Sequence, residues 1–75
     1  MITGKQIKAA RALAGWTQLD LACQSGVGVA TIKKIESGTT DPRRSTLESI
    51  ETAFAVKGID FAADGIHEKI RHKVD

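Results

Sequence analysis

Few residues in this 75-residue chain are of types that could carry chemistry, and their spacing decides most of what they could do. His67 and His72 stand in "HEKIRH", which superficially resembles a zinc-protease motif. They lie five apart, so on a helix at about 100° per residue they would point about 140° apart, and on a strand they would fall on opposite faces. Neither arrangement lets them share a zinc ion. "GVGVAT", residues 26–31, resembles a dinucleotide-binding glycine loop, but no strand precedes it and a threonine replaces the third glycine. Cys23 is the only cysteine, which excludes an internal disulfide and a cysteine-rich zinc site; its expected role is that of a small buried apolar residue. No serine, histidine and acid are arranged as a nucleophile and its base, so no enzyme, metal or cofactor is expected. What remains is cationic: Arg11, Lys33 and Lys34 in "TIKKIE", and Arg43 and Arg44 in "DPRRST". Such groups bind anions.

The charge distribution points the same way. Net charge is only +2, but residues 1–34 set five cations against Asp20 for +4, while residues 35–75 set six cations against eight acids for −2. The asymmetry suggests a basic face turned toward a polyanion. A composition of 41% hydrophobic and 27% charged residues is that of a folded domain, so disorder is not expected despite seven glycines. At this length one small aliphatic core is near the lower limit of independent stability, which makes a homodimer an expectation. No apolar run approaches the roughly 20 residues of a membrane span, and "MITGKQIK" lacks a signal-peptide core, so a cytoplasmic protein without membrane contact is expected.

The elements that must position these cations are densely punctuated. Thr3 can cap a first helix with Gln6 as its reciprocal partner, between Ile2 and Ile7 at staple positions, and Gly15 stops it. Thr17 opens a second helix with Asp20 in the reciprocal place, and Gly26 ends it. A third runs from Gly28 or Val29 to Ser37, with Gly38 as its stop. The joint between helices two and three is three or four residues long and carries glycine, the length of a helix-turn-helix joint. After the loop "TTDP", Ser45 and Glu48 signal a fourth helix reaching about Val56, with Leu47, Ile50 and Phe54 as its apolar stripe, and Gly58 ends it. Beyond it a short strand is expected at 59–62 and a turn at Ala63 to Gly65. Residues 66–74 fit a second strand or a frayed helix.

Two charges interrupt apolar stripes. Ile7, Ala10 and Ala14 define the inward face of the first helix, and Arg11 falls within it; Ile32 and Ile35 define that of the third, with Glu36 beside them. A partly buried Arg11–Glu36 salt bridge is predicted if the two helices pack together. The alternative is that both side chains extend to solvent.

Taken together, Arg11, "GWTQ", "LA" at 21–22, "GV" at 26–27, "TI" at 31–32, "IE" at 35–36, Gly38 and Pro42 resemble the Cro and phage-repressor (XRE-like) helix-turn-helix proteins, over about residues 5–56. The resemblance implies an all-α, lambda-repressor-like bundle of four to five helices with a short C-terminal strand or hairpin. Residues 1–57 would form the DNA-binding domain and 58–75 the appendage. It implies that helix three enters the major groove of a roughly palindromic operator and that a dimer sets two such helices about 34 Å apart. By position, Val29, Ala30, Thr31 and Lys34 would face base edges. Lys34 can donate to guanine O6 or N7, whereas Val29 and Ala30 can only meet a thymine methyl or allow close approach. Thr17, Gln18, Gly28, Lys33, Ser37, Thr39, Arg43 and Arg44 would face the sugar-phosphate backbone. Gly28 departs from the family's usual capping serine or threonine.

Each of these residues has a plainer reading. Two adjacent lysines can be a solvated face, Gln18 can satisfy helix-two amides, and Arg43 and Arg44 can be only a basic loop. Trp16 is expected to anchor the core. Leu13 and Leu19 are expected to face outward, either incidentally or as a partner surface. The function implied by the resemblance is a sequence-selective transcriptional regulator, a dimeric repressor or autoregulator. Ile59 and Phe61, expected to find little core left to enter, nominate the appendage as the dimer element, with the end of helix four as the other route. Two rival functions are an antitoxin-type regulator holding a protein partner through the appendage, and an interaction adaptor without DNA that uses Val29, Ala30, Leu13 and Leu19.

Overall fold

The computed structural model describes residues 2–62 and 65–68. Helices α1 (Gly4–Ala14), α2 (Gln18–Ser25), α3 (Val29–Ser37) and α4 (Arg44–Val56) precede an antiparallel hairpin of β1 (Ile59–Ala62) and β2 (Gly65–Glu68). Capping boxes open the first two helices. The Thr3 hydroxyl accepts from the Gln6 amide while the Thr3 amide donates to Gln6 Oε1. Thr17 and Asp20 repeat the arrangement at 3.0 and 2.9 Å. Each box satisfies an amide that the helix cannot, which typically contributes about 1 kcal/mol.

The joint between α2 and α3 turns on Gly26. At φ 76° it occupies the left-handed region, where a Cβ would be strained, and its amide donates to the Ala22 carbonyl at 2.9 Å. Val27 and Gly28 complete the turn.

The fourth helix begins two residues earlier than its sequence signal, with the cap at Arg43 where Ser45 was expected. Arg43 occupies the cap position with extended backbone and no side-chain cap bond, so Ser45 lies inside the first turn and does not cap it. A serine with helical backbone cannot reach back to the first amides; the Ser45 carbonyl instead accepts from Ser49 Oγ at 3.1 Å.

Ile7 and Ala10 from α1, Leu21 from α2, Ile32 and Ile35 from α3, and Leu47, Ile50, Ala53 and Phe54 from α4 meet in one core, with Ile2 and Ile59 closing its ends. Ala14 and Trp16 pack against it. Phe54 is central: the Trp16 ring stacks on it at 5.2 Å and the Phe61 ring meets it edge-on at 5.6 Å. Such pairs add about 0.5–1.5 kcal/mol each beyond burial.

Two expectations need correction. Ile59 and Phe61 do find core to enter, Ile59 being 1% exposed and Phe61 lying against Phe54. They stand two apart on a strand, so both turn to one face, and the hairpin lays that face on α1 and α4. Cys23 is exposed, not buried. Leu21 takes the inward position of α2, and two residues further the helix has turned about 200°.

In the tail, residues 66–68 are strand, and Gly65, expected within the turn, already pairs with Ala62. Residues 63 and 64, expected as a turn, and 69–74, expected as strand or frayed helix, lie outside the described residues. Among the described residues, no helix is long and apolar enough to cross a membrane.

Candidate nucleic-acid interface

The site is built on the ion pair between α1 and α3. Arg11 Nε donates to Glu36 Oε2 at 2.7 Å and Arg11 Nη2 donates to Glu36 Oε1 at 2.9 Å, a two-pronged contact that fixes both side chains. The remaining guanidinium nitrogen, Nη1, donates to the Trp16 carbonyl at 3.0 Å. Gln18 Nε2 adds a bond to Glu36 Oε1 at 3.1 Å. The Glu36 side chain is 6% exposed and that of Arg11 15%. The hydrogen bond to Glu36 and its nearby charge hold the Arg11 pKa above the ordinary guanidinium value, against burial acting to lower it. One acid thus ties together α1, the start of α2 and the end of α3.

Gly4 permits the close approach and has no counterpart in the sequence-derived site. A Cβ there would collide with the Ile35 carbonyl, so the first turn of α1 lies directly on the backbone of α3. The signal was a glycine in the first turn of a capped helix, where most residues form helix better.

With α3 so held, its outer side is open. Ala30, Thr31, Lys33, Lys34 and Ser37 are exposed and Val29 is half-buried. Gly28 is exposed at the cap position and supplies no side-chain bond to the first turn, which leaves that turn's amides without a cap. At the other end Gly38 adopts φ 76°, and the Gly38 and Thr39 amides donate back to the Ile35 and Lys34 carbonyls. The Lys34 carbonyl also accepts from Ser37 Oγ at 3.0 Å and Thr39 Oγ1 at 3.3 Å, and the two hydroxyls are 3.0 Å apart. Ser37 and Thr39, nominated for the backbone, therefore direct their hydroxyls into the helix end, where a phosphate would have to compete.

Gln18 is also more committed than its nomination implied. Its side-chain nitrogen donates to Glu36, and since that nitrogen carries two hydrogens one remains for another acceptor. The Thr17 hydroxyl accepts from Asp20, which leaves its own proton available. Gln18, Lys33 and Ser37 line one depression of about 370 Å³ with Lys8, Arg11 and Glu36. Arg43 and Arg44 do not line it. They are exposed at the opening of α4, where the helix dipole is positive and cations are disfavoured unless an anion joins them.

The arrangement offers cations, uncapped amides and a protruding short helix. Among the described residues no group of three or more His, Cys, Asp or Glu side chains is placed to hold a metal ion. A helix-turn-helix family model of the Cro and phage-repressor (XRE-like) type matches residues 7–61, 55 of the 75. No curated protein matches the chain.

Proposed function

Because the chain belongs to the Cro and phage-repressor type of helix-turn-helix proteins, a family of DNA-binding regulators, we propose that it is a sequence-selective repressor or autoregulator acting as a dimer in the cytoplasm. In this reading α3 enters the major groove of a roughly palindromic operator. Lys34 reads a guanine edge, Thr31 offers a hydroxyl to a neighbouring base, and Val29 and Ala30 meet thymine methyls. Thr17, Gln18, Gly28 and Lys33 face backbone phosphates on one side, and Ser37, Thr39, Arg43 and Arg44 face them on the other. The observation that carries the reading is the open outer side of α3, with Ala30, Thr31, Lys33 and Lys34 all exposed while Ile32 and Ile35 anchor the helix from behind. Among the described residues the hairpin packs on α1 and α4.

For the dimer, the inward turn of Ile59 and Phe61 removes the argument for the appendage. Val56, 82% exposed at the end of α4, supports the other route. A second function, an adaptor that binds protein in place of DNA, draws support from Leu13 and Leu19, 47% and 62% exposed. Titrating binding to random duplex against salt separates the two. Several phosphate contacts give a log–log slope of several units, and a flat, weak response would reject DNA binding.

A further inference from the structure

A groove of about 500 Å³ separates α4 from β1, with Glu51, Thr52 and Ala55 on one wall and Ile59, Asp60 and Phe61 on the other. Two acids line it and, among the described residues, no cation does. Within the hairpin β2 lies on α1 and β1 chiefly on α4, so the groove follows the side of β1 that faces away from β2. That side is a strand edge. With two residues between the strands, Ala62–Gly65 and Asp60–His67 are the pairs that exchange hydrogen bonds, and the Phe61 amide and carbonyl point outward toward the groove. Among the described residues neither group has a hydrogen-bond partner. An unpaired edge beside an acidic, partly apolar groove suits an extended segment that carries cations.

The chain holds such a segment directly after β2. In "KIRHKVD", Lys69, Arg71 and Lys73 alternate with Ile70, His72 and Val74, which is the period of a strand. Residues 69–75 set three of the chain's eleven cations against one of its nine acids, which leaves eight of each in residues 1–68. The whole net charge of +2 therefore belongs to this segment, opposite in sign to the groove. Its direction decides which groove it can reach. β2 ends with Glu68 opposite Ile59, so a straight continuation leads away from Phe61 and past the end of α4, over about 24 Å for seven extended residues. Entering its own groove would require a reversal around Gly58, and no glycine, proline, asparagine, aspartate or serine stands among residues 66–74 to make one. We propose that residues 69–75 of each copy lie in the α4–β1 groove of a second copy, with Ile70 and Val74 toward Ala55 and Phe61 and the three cations beside Glu51 and Asp60. This inference rests on the dimeric reading above and names the contact: the hairpin's inward face is spent on its own core, and the segment beyond it joins the copies.

Sedimentation equilibrium of the full chain without DNA tests the exchange. Glu51→Lys alone and Arg71→Glu alone should each raise the dimer dissociation constant about tenfold, since each brings like charges together at both symmetric contacts. Lysine forms helix about as readily as glutamate, so α4 is kept in the first variant. An equal mixture of the two should dimerise as wild type does, because a heterodimer pairs the reversed segment with the reversed groove and leaves the other contact native. Lys5→Glu, a reversal on α1 outside the groove, should leave the dissociation constant unchanged. A wild type that stays monomeric at every concentration, or single variants that dimerise as wild type does, overturns the exchange. So does a mixture no tighter than its components, the result expected of a segment folded into its own groove. The DNA-binding reading stands or falls separately, on the salt titration: a monomer with a steep slope sinks the exchange alone, and an exchanged dimer with a flat slope sinks DNA binding alone.

Discussion

Replacing Glu36 by glutamine keeps the size of the side chain and removes its charge, which leaves the Arg11 guanidinium facing a neutral amide in a site where it is only 15% exposed. Removing one member of a buried pair typically costs about 3–5 kcal/mol. The lower end applies here, since Arg11 keeps its bond to the Trp16 carbonyl and some access to water. A domain of this length has a total stability of about 4–11 kcal/mol, so a loss of about 3 kcal/mol is a large fraction of it. Thermal unfolding should shift downward by about 12–24 °C. Urea denaturation should show a lower midpoint at unchanged m. The double variant Arg11→Met with Glu36→Leu should recover most of the loss, because it removes the uncompensated charge together with its partner. The raised Arg11 pKa sets the pH window: its contribution is complete below the ordinary guanidinium value and lost only as pH rises through the raised one. The Glu36→Gln difference should therefore be the same at pH 7 and at about pH 10. A cost under about 1 kcal/mol, or strict additivity of the two single substitutions in the cycle, would falsify the coupling.

Three further outcomes are expected. Lys34→Ala should relax base preference at one operator position by about 1–3 kcal/mol in a selection from random DNA, and an unchanged profile would end its role as a reader. Arg43→Ala should weaken all duplexes alike and lower the salt slope by about one; a change confined to particular sequences would contradict that. Gly4→Ala improves helix propensity by about 1 kcal/mol, yet it should destabilise by about 1–3 kcal/mol because the new methyl meets the Ile35 carbonyl. A urea midpoint at or above wild type would show that α1 can shift outward freely.

Much of the fold was legible because its signals are local. Thr3 with Gln6 and Thr17 with Asp20 announce helix starts at fixed spacing, and Gly15, Gly26 and Gly38 announce stops. The pairing of Arg11 with Glu36 was legible for a different reason: a charge inside an apolar stripe needs a partner, and few opposite charges were placed to supply one. What escaped depends on packing that no local pattern encodes. Whether Phe61 finds room beside Phe54 depends on how α4 lies against Trp16, and Ser45 resembled a cap although the chain enters its helix two residues sooner. For the candidate interface, the resemblance nominated residues by position along α2 and α3. It did not show that Gln18 bonds Glu36 or that Lys8 shares a depression with Lys33, because both facts arise only when three helices are assembled.

The crowding of donors onto the Lys34 carbonyl has a mechanical consequence. Two hydroxyls and the Thr39 amide hold the main chain of Lys34 at its root, while its long side chain is exposed. A pivot this stiff converts any tilt of the helix end into a displacement of the ammonium several ångströms away. Changing Ser37 or Thr39 would then blur where that ammonium arrives without altering a single atom of the lysine itself.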